Sequence, residues 1–410
     1  MAKVAVIGAG IVGVSSAEWL RRDGHEVVLI DPKGPAGETS AGNAGLIAAP
    51  SVSPTQYPGV EWRALRDLAL GGAFRLDWGR LPHLAPWLFA FWRNSGAVRV
   101  RELANAIHTI AGDAVEQHRI LAAGTPAADF IGEGEWWHLH RSTLPKDNKG
   151  VAIKREFGFP VRVVAEAELR DRDPHLNPAY RSAFALGGYG RISDPAAYVQ
   201  ALAAHFQDGG GRLLLTAARD LRPMENGVKV TCEGETLDVD KVVLACGVWT
   251  ETFARQLGVR SRVISERGYH VECWGANRSP PDGVAYQLTD TLHVGHALRG
   301  RFRVTSISEP AGLDSPPSSR AMAYVRRGPR LFYPDLEQDR VTEWMGRRPS
   351  TPDSLPLIGA APNNPNVLFA AGHQHIGLTA GPKTGRLIAD LVSSRPPNID
   401  LTPYAPNRFT

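Results

Sequence analysis

Three glycines and one aspartate near the start of the chain have the types and spacing to hold a dinucleotide. In Gly8-Ala-Gly10-Ile-Val-Gly13, Gly8 suits a tight turn and Gly10 leaves the backbone open to a pyrophosphate. Gly13 permits a helix to pack closely on a strand. Asp31 ends the next apolar run, where its carboxylate can accept hydrogen bonds from ribose hydroxyls. It would repel the 2′-phosphate of NADP; on these residues NAD and FAD both stay open. Other reactive side chains carry less. Cys232, Cys246 and Cys273 are an odd, sparse set without CxxC spacing, so neither a disulfide framework nor a zinc site is expected. Cys246 reads as a small buried hydrophobe. His373 and His375 lack further ligands at suitable spacing, so no metal is expected.

The elements that must position these residues are legible. Lys3–Ile7 is β-branched and apolar, as a strand buried on both faces is. Ile11–Asp23 keeps Ile11, Val14, Ala17 and Leu20 on one helical face, and Gly24 suits the cap after it. Glu26–Ile30 is the second strand. The motif thus sits between strand and helix, the context that gives it meaning. The apolar run Val4–Val14 lacks the charged lead and long apolar core of a signal peptide.

The chain has 410 residues, 43% hydrophobic and 21% charged, an ordinary globular composition with room for more than one domain. A net charge of +4 is mild, and the basic clusters (Arg299, Arg301, Arg303; Arg326, Arg327, Arg330; Arg347, Arg348) are short. They read as solvated arginines, with weak affinity for anionic lipid as the functional alternative; nucleic-acid binding is not expected. Sparse cysteines fit a reducing, cytoplasmic setting. No apolar run is long enough to cross a bilayer. Leu84–Trp92 is apolar on every side, which reads as a buried helix, or else as a patch touching membrane or a partner subunit.

Four further segments carry a family likeness. Thr39-Ser40-Ala-Gly-Asn43-Ala44-Gly45-Leu46 is similar to a TSxANAG stretch, with Gly42 where alanine is commoner. Asp240–Trp249 is an apolar strand ending in Gly247. Trp344-Met-Gly-Arg-Arg348-Pro-Ser-Thr-Pro-Asp353 is similar to GxRPxTPD, and Gly372-His-Gln-His375-Ile376-Gly377-Leu378-Thr379 to a GHxxxGxT turn leading into helix Pro382–Val392. With the N-terminal unit they resemble the FAD-dependent D-amino-acid oxidase/dehydrogenase superfamily, which includes glycine and sarcosine oxidases, over nearly the full length. The resemblance implies an α/β fold with α+β insertions: a Rossmann-like FAD-binding domain (1–47, 190–255 and 340–395) and a substrate domain with an antiparallel sheet (48–189 and 256–339), with 396–410 as a tail. The first insertion reads as largely helical, most clearly at Glu102–Ala123; the second as strands at Arg262–Trp274, Thr291–Gly295 and Arg301–Ile307, then a turn-rich connection, Ser308–Pro317.

The same resemblance implies non-covalent FAD, because the C-terminal segments lack the cysteine that sarcosine-oxidase-like members use for attachment. Its contacts are expected from Gly8, Gly10, Ile11, Val12, Gly13, Asp31, Pro32, Ser40, Asn43, Ala44, Gly45, Leu46, Ala218, Gly247, Gly372, His375, Ile376, Gly377, Leu378 and Thr379. Helix-end N–H groups near Gly377 would stabilise the charge that reduced flavin gains. The implied reaction is oxidation of an amino acid at Cα to an imino acid, with oxygen, a quinone or a protein as electron acceptor. Arg348 is the expected carboxylate ligand and Arg347 a structural or solvated partner. Tyr269 and His270, in a segment similar to RGYH, lie on opposite faces of a strand, so at most one readily faces the substrate. His293, beside His296, is a further lining candidate, and each of these has a structural role as its alternative. Within the family the likeness points to D-amino-acid dehydrogenases acting on D-proline or cis-4-hydroxy-D-proline. A glycine/sarcosine-type oxidase and the flavin subunit of a larger complex are the alternatives.

Overall fold

Lys3–Ile7, buried on both faces as its composition requires, lies inside a six-stranded sheet of order Leu357–Ala361, Asn364–Ala371, Lys241–Leu244, Lys3–Ile7, Glu26–Ile30, Arg212–Leu214. All pairings are parallel except that of Leu357–Ala361 with its neighbour. The computed structural model describes residues 1–144 and 149–409. On one face of the sheet, helix Ile11–Arg22 packs against helix Gly377–Val392. The approach is so close that a Cβ on Gly385 would stand 2.6 Å from the Ser15 backbone. On the other face lies a three-stranded antiparallel sheet, Ala218–Met224, Gly227–Cys232 and Thr236–Val239.

The second large sheet has nine strands and its own core. It is antiparallel save where Val284–Leu288 runs parallel to Ile131–His140. Its edge pair matters most here: Ile264–Trp274 and Arg340–Ser350 pair in register over their whole lengths.

Several expectations need correction. The first insertion carries helices Val60–Leu70, Leu81–Arg93, Ala97–Ala111, Ala114–Ala122, Lys149–Glu156 and Glu166–Arg172, as expected, but it also supplies strands Ile131–His140, Val161–Val164 and most of Ser182–Ile192. In Ser182–Leu186 every residue is buried, a signature that periodicity alone does not separate from helix. The stretch Glu102–Ala123 is two helices, Ala97–Ala111 and Ala114–Ala122, interrupted at Gly112. In the substrate sheet the strands are Ile264–Trp274, Val294–Leu298 and Arg301–Ala311, so the turn-rich connection starts later than expected. Arg340–Ser350, assigned by sequence to the cofactor domain, belongs to the substrate sheet. Arg301 and Arg303 are buried instead of solvated. Helix Leu81–Arg93 buries only Leu84 and Trp87, leaving Phe89 58% and Trp92 53% exposed; it is not a core helix. No helix among the described residues is long and apolar enough to cross a membrane.

Candidate active site

The turn after the first strand is built to have no side chains. Gly8 has φ +105°, and a Cβ there would come within 2.5 Å of the Ala245 carbonyl oxygen. Asp31 braces this turn as well as lining the cleft in front of it: Ala9 N–H donates to its Oδ2 at 2.9 Å and Lys33 N–H to its Oδ1 at 2.8 Å. Ser40 Oγ accepts from Ile11 N–H at 3.0 Å, tying the loop to the helix start. In front of the turn lies a cleft of about 650 Å³. Asp31, Pro32, Lys33, Ala218 and Arg219 line it towards one side; Gly8, Gly10, Ile11, Val12 and Ser40 follow; Asn43, Ala44, Gly247, Trp344, Arg348, His375, Gly377 and Leu378 complete the wall.

Six residues expected to touch FAD stand behind this wall instead. Gly13 serves packing, because a Cβ on it would lie 1.8 Å from the Gly8 oxygen. Gly45 (φ +76°) donates its N–H to Asn43 Oδ1 at 2.8 Å, and Leu46 pairs with Arg191. Gly372 (φ +77°) makes the bend before the C-terminal turn, and Ile376 is buried beneath that turn. Thr379 Oγ1 accepts from Ala48 N–H at 3.0 Å. Cys246 is half-buried and lines the cleft, contrary to the buried position expected of it. Burial raises its thiol to about 11, so it is protonated and no nucleophile at neutral pH.

Strand register decides which residues of the substrate sheet reach the cleft. Glu266, Gly268 and His270 stand opposite Arg348, Gly346 and Trp344. Gly268 makes room for the guanidinium: a Cβ there would lie 2.3 Å from Arg348 Nη2. Arg348 Nη1 donates to the Ile307 carbonyl at 3.0 Å and the Arg267 carbonyl at 3.4 Å, and approaches Glu266 Oε1 at 3.5 Å. Among the described residues no hydrogen bond is made by its Nη2. Glu266 is itself held by Ser308 Oγ at 2.9 Å and Ser350 Oγ at 2.7 Å. Arg347 sits on the other face of its strand and donates to the Leu313 carbonyl.

Tyr269 and His293 do not reach the cleft, and their expected site roles are corrected. Tyr269 is fully buried; its hydroxyl donates to Glu309 Oε2 at 2.5 Å and accepts from Ser318 N–H at 3.0 Å. His293 stacks on Tyr324 and bonds the Tyr324 carbonyl and Thr291 Oγ1. His270 acts from behind: its Nδ1–H donates to the Gly42 carbonyl at 3.2 Å and its ring stacks on Trp344 at 4.8 Å. Burial pushes its pKa down to about 3, so the ring is neutral. His296 similarly bonds the Ala44 carbonyl at 2.8 Å.

His375 lines the cleft with its side chain open to it. Desolvation by the surrounding atoms lowers its pKa, nearby Glu266 opposes the shift and Arg348 adds to it.

Trp344 and Gln374 went unnoticed as site residues in the sequence. The Trp344 ring lies across Gly346 and Gly42; an added Cβ would meet it at 1.8 Å and 2.1 Å respectively. Gly42, where alanine is commoner in the resembling family, is thus matched to Trp344. Gly42→Ala should weaken FAD retention by an overpacking cost of about 1–3 kcal/mol, and Trp344→Leu in the same chain should recover most of it; flavin release on dilution measures both. Gln374 has φ +48° and donates Nε2–H to the Thr351 carbonyl at 2.8 Å. Its Oε1 is buried without a partner among the described residues, on a side chain that lines the cleft. An orphaned acceptor in a wall is where a ligand N–H belongs. The spacing 344, 346, 348 was the available signal for Trp344; nothing local marked Gln374.

A buried charge cluster fixes this wall. Glu272 Oε1 accepts from Arg303 Nη2 at 2.6 Å and from Arg301 Nε at 2.6 Å. Arg301 also reaches Asp194, the cap of helix Pro195–Asp208. Arg303 Nη1 donates to the carbonyls of Ala41 and Asn43, so the cluster holds the 39–46 loop against the substrate sheet.

The cleft's bare glycine turn, the Asp31 acceptor and the orphaned Gln374 oxygen together fit FAD. The family model described as DAO, FAD dependent oxidoreductase, matches residues 3–391. A D-amino-acid oxidase of Bradyrhizobium diazoefficiens is 34% identical over 417 residues, 99% of this chain and 98% of the relative. A D-amino acid dehydrogenase of Methylobacterium nodulans is 31% identical over 412 residues, 97% of this chain and 96% of the relative. The glycine oxidase structure from Geobacillus kaustophilus superposes with a TM-score of 0.73 at 22% identity, covering 100% of both chains.

Proposed function

This chain belongs to the DAO family of FAD-dependent oxidoreductases, and from that premise we propose that it oxidises the Cα–N bond of a D-amino acid to an imino acid. Bound FAD supplies the two-electron acceptor for the hydride that leaves Cα. One observation carries the reading: Arg348, seated by Gly268, lines the same cleft as the glycine turn. A guanidinium there grips a carboxylate by two parallel hydrogen bonds and keeps its charge at any working pH. The backbone carbonyls of Ile307 and Arg267 fix its position through Nη1, so the remaining donors serve the substrate. The names of both curated relatives support the D-configuration. Trp344 narrows this part of the cleft, which suits a compact ring such as D-proline or cis-4-hydroxy-D-proline.

Gln374 would help hold the cofactor in this reading, its Oε1, unpartnered among the described residues, being free to accept an N–H of the flavin. Gln374→Leu should weaken FAD binding about tenfold, the order of one buried hydrogen bond; titration of the apoprotein with FAD, read by flavin fluorescence, checks it.

The reaction itself is tested by mixing the FAD-loaded chain anaerobically with D- and L-amino acids, glycine and sarcosine. D-amino acids should bleach the flavin, the cyclic secondary amines fastest. Faster bleaching by L-enantiomers, glycine or sarcosine would overturn the D-specific reading. Bleaching by acyclic D-amino acids alone would remove the cyclic substrate.

A further inference from the structure

Helix Leu81–Arg93 touches the molecule through Leu84 and Trp87 and presents Pro82, Ala85, Pro86, Phe89 and Trp92 outward at helical spacing. Such a stripe on a surface helix has its apolar side in the wrong place for a chain that meets only water. Phe89 and Trp92 stand together, ring centroids 5.9 Å apart. The neighbouring helix Val60–Leu70 repeats the pattern with Trp62 72%, Leu65 57% and Leu70 79% exposed, and Trp78 between the helices is 64% exposed.

Charge says what covers this surface. From Trp78 to Arg101 the sequence has four arginines and no aspartate or glutamate, although acids nearly balance bases in the whole chain (42 against 46). Arg80 and Arg93 are exposed and make no ion pair among the described residues. Arg93 falls on the same stripe as Pro82, Pro86 and Phe89. Facing a second copy of itself, such a surface would bring unpaired arginines together; facing anionic headgroups, it is complementary. Exposed tryptophans beside arginines suit the headgroup boundary, where an amphipathic ring meets both water and acyl chain. The helix has 13 residues, too short to cross a bilayer, so it lies in the plane of the interface.

We propose that the protein docks peripherally on an anionic bilayer through helix Leu81–Arg93, with Phe89 and Trp92 entering the headgroup boundary and Arg80 and Arg93 meeting lipid phosphates. The segment that leads into the docking helix is tied to the substrate end of the cleft at two points. Thr55 Oγ1 bonds Ser354 Oγ at 2.9 Å, just past Arg348 in the chain. Arg75 N–H donates to the Ser308 carbonyl at 2.9 Å, next to Ile307, whose own carbonyl holds Arg348.

The test sediments the full FAD-loaded chain with phosphatidylcholine vesicles, with or without about a quarter phosphatidylglycerol. Wild type should pellet with the anionic vesicles and release as salt rises. Phe89→Ser with Trp92→Ser should lower the partition at least about tenfold, as loss of buried apolar area requires. Arg80→Gln with Arg93→Gln should abolish the preference for anionic lipid. Unchanged flavin absorbance and turnover with a soluble dye show that these variants are folded. Wild type that stays in the supernatant, or aromatic variants that pellet equally, overturns the proposal. A wild-type dimer in sedimentation velocity that the aromatic variants turn into a monomer also overturns it, in favour of a second copy.

Discussion

Arg348→Lys is expected to lower kcat/KM for a D-amino acid about 10²-fold with FAD still bound, the loss of roughly 3 kcal/mol that a charged, two-pronged contact contributes. Lysine keeps the charge but presents a single point donor, and it cannot satisfy the Ile307 and Arg267 carbonyls and a substrate carboxylate together. The loss should fall on KM and kcat alike, since a loosely held carboxylate also misaims Cα. Stopped-flow reduction under anaerobic conditions separates the two. A side chain with only its Glu266 partner to serve would leave the kinetics almost untouched, and such a result would remove Arg348 from the site. Because Glu266 keeps a cationic neighbour in this variant, the fold is not at issue; flavin absorbance checks that.

The second large effect is on stability. Glu272→Gln should destabilise the protein by about 3–5 kcal/mol, because the buried Arg303 loses its counter-charge while Arg301 still has Asp194. Burial already pulls the Arg303 pKa down against the opposing pull of Glu272. Urea unfolding of the FAD-bound chain reads the change. Replacing both partners, Glu272→Met with Arg303→Met, should return much of the stability, as apolar substitutes for buried ion pairs often do. FAD affinity should fall in the double variant, since the Ala41 and Asn43 carbonyls have lost their donor. A Glu272→Gln chain as stable as wild type would mean that the cluster is hydrated and not structural.

Sequence reasoning reached as far as its information was local. Gly8, Gly10 and Asp31 lie within one strand–helix–strand unit, where each residue's task follows from its neighbours, and Arg348 lies in a short motif. The rest of the site depends on pairings between distant segments. Whether Tyr269 or His270 stands behind Trp344 hangs on the register of Ile264–Trp274 against Arg340–Ser350, and a one-residue slip exchanges them. Gly42 looked like a departure from a pattern until Trp344 was found in the space of its missing methyl. Gln374 is marked only by an unpartnered oxygen, which no sequence displays. The helical reading of the first insertion holds for its helices and misses its strands, as in Ser182–Leu186, where every residue is buried and the alternation disappears.

The order of the first sheet also bears on how the enzyme is made. Lys3–Ile7 is flanked by Glu26–Ile30, present almost at once, and by Lys241–Leu244, which on its other side pairs with Asn364–Ala371. Helix Ile11–Arg22 rests on Gly377–Val392. Synthesis at roughly 5–20 residues per second delivers those last segments only after about 20–80 s. Until then the sheet lacks Asn364–Ala371 and Leu357–Ala361, helix Ile11–Arg22 lacks its partner Gly377–Val392, and Arg348, Gln374 and His375 have yet to be joined in place. The cleft is therefore complete only when the final helix is in place: a ribosome that stalls before it leaves a nascent chain with an unfinished cradle and exposed apolar strand faces.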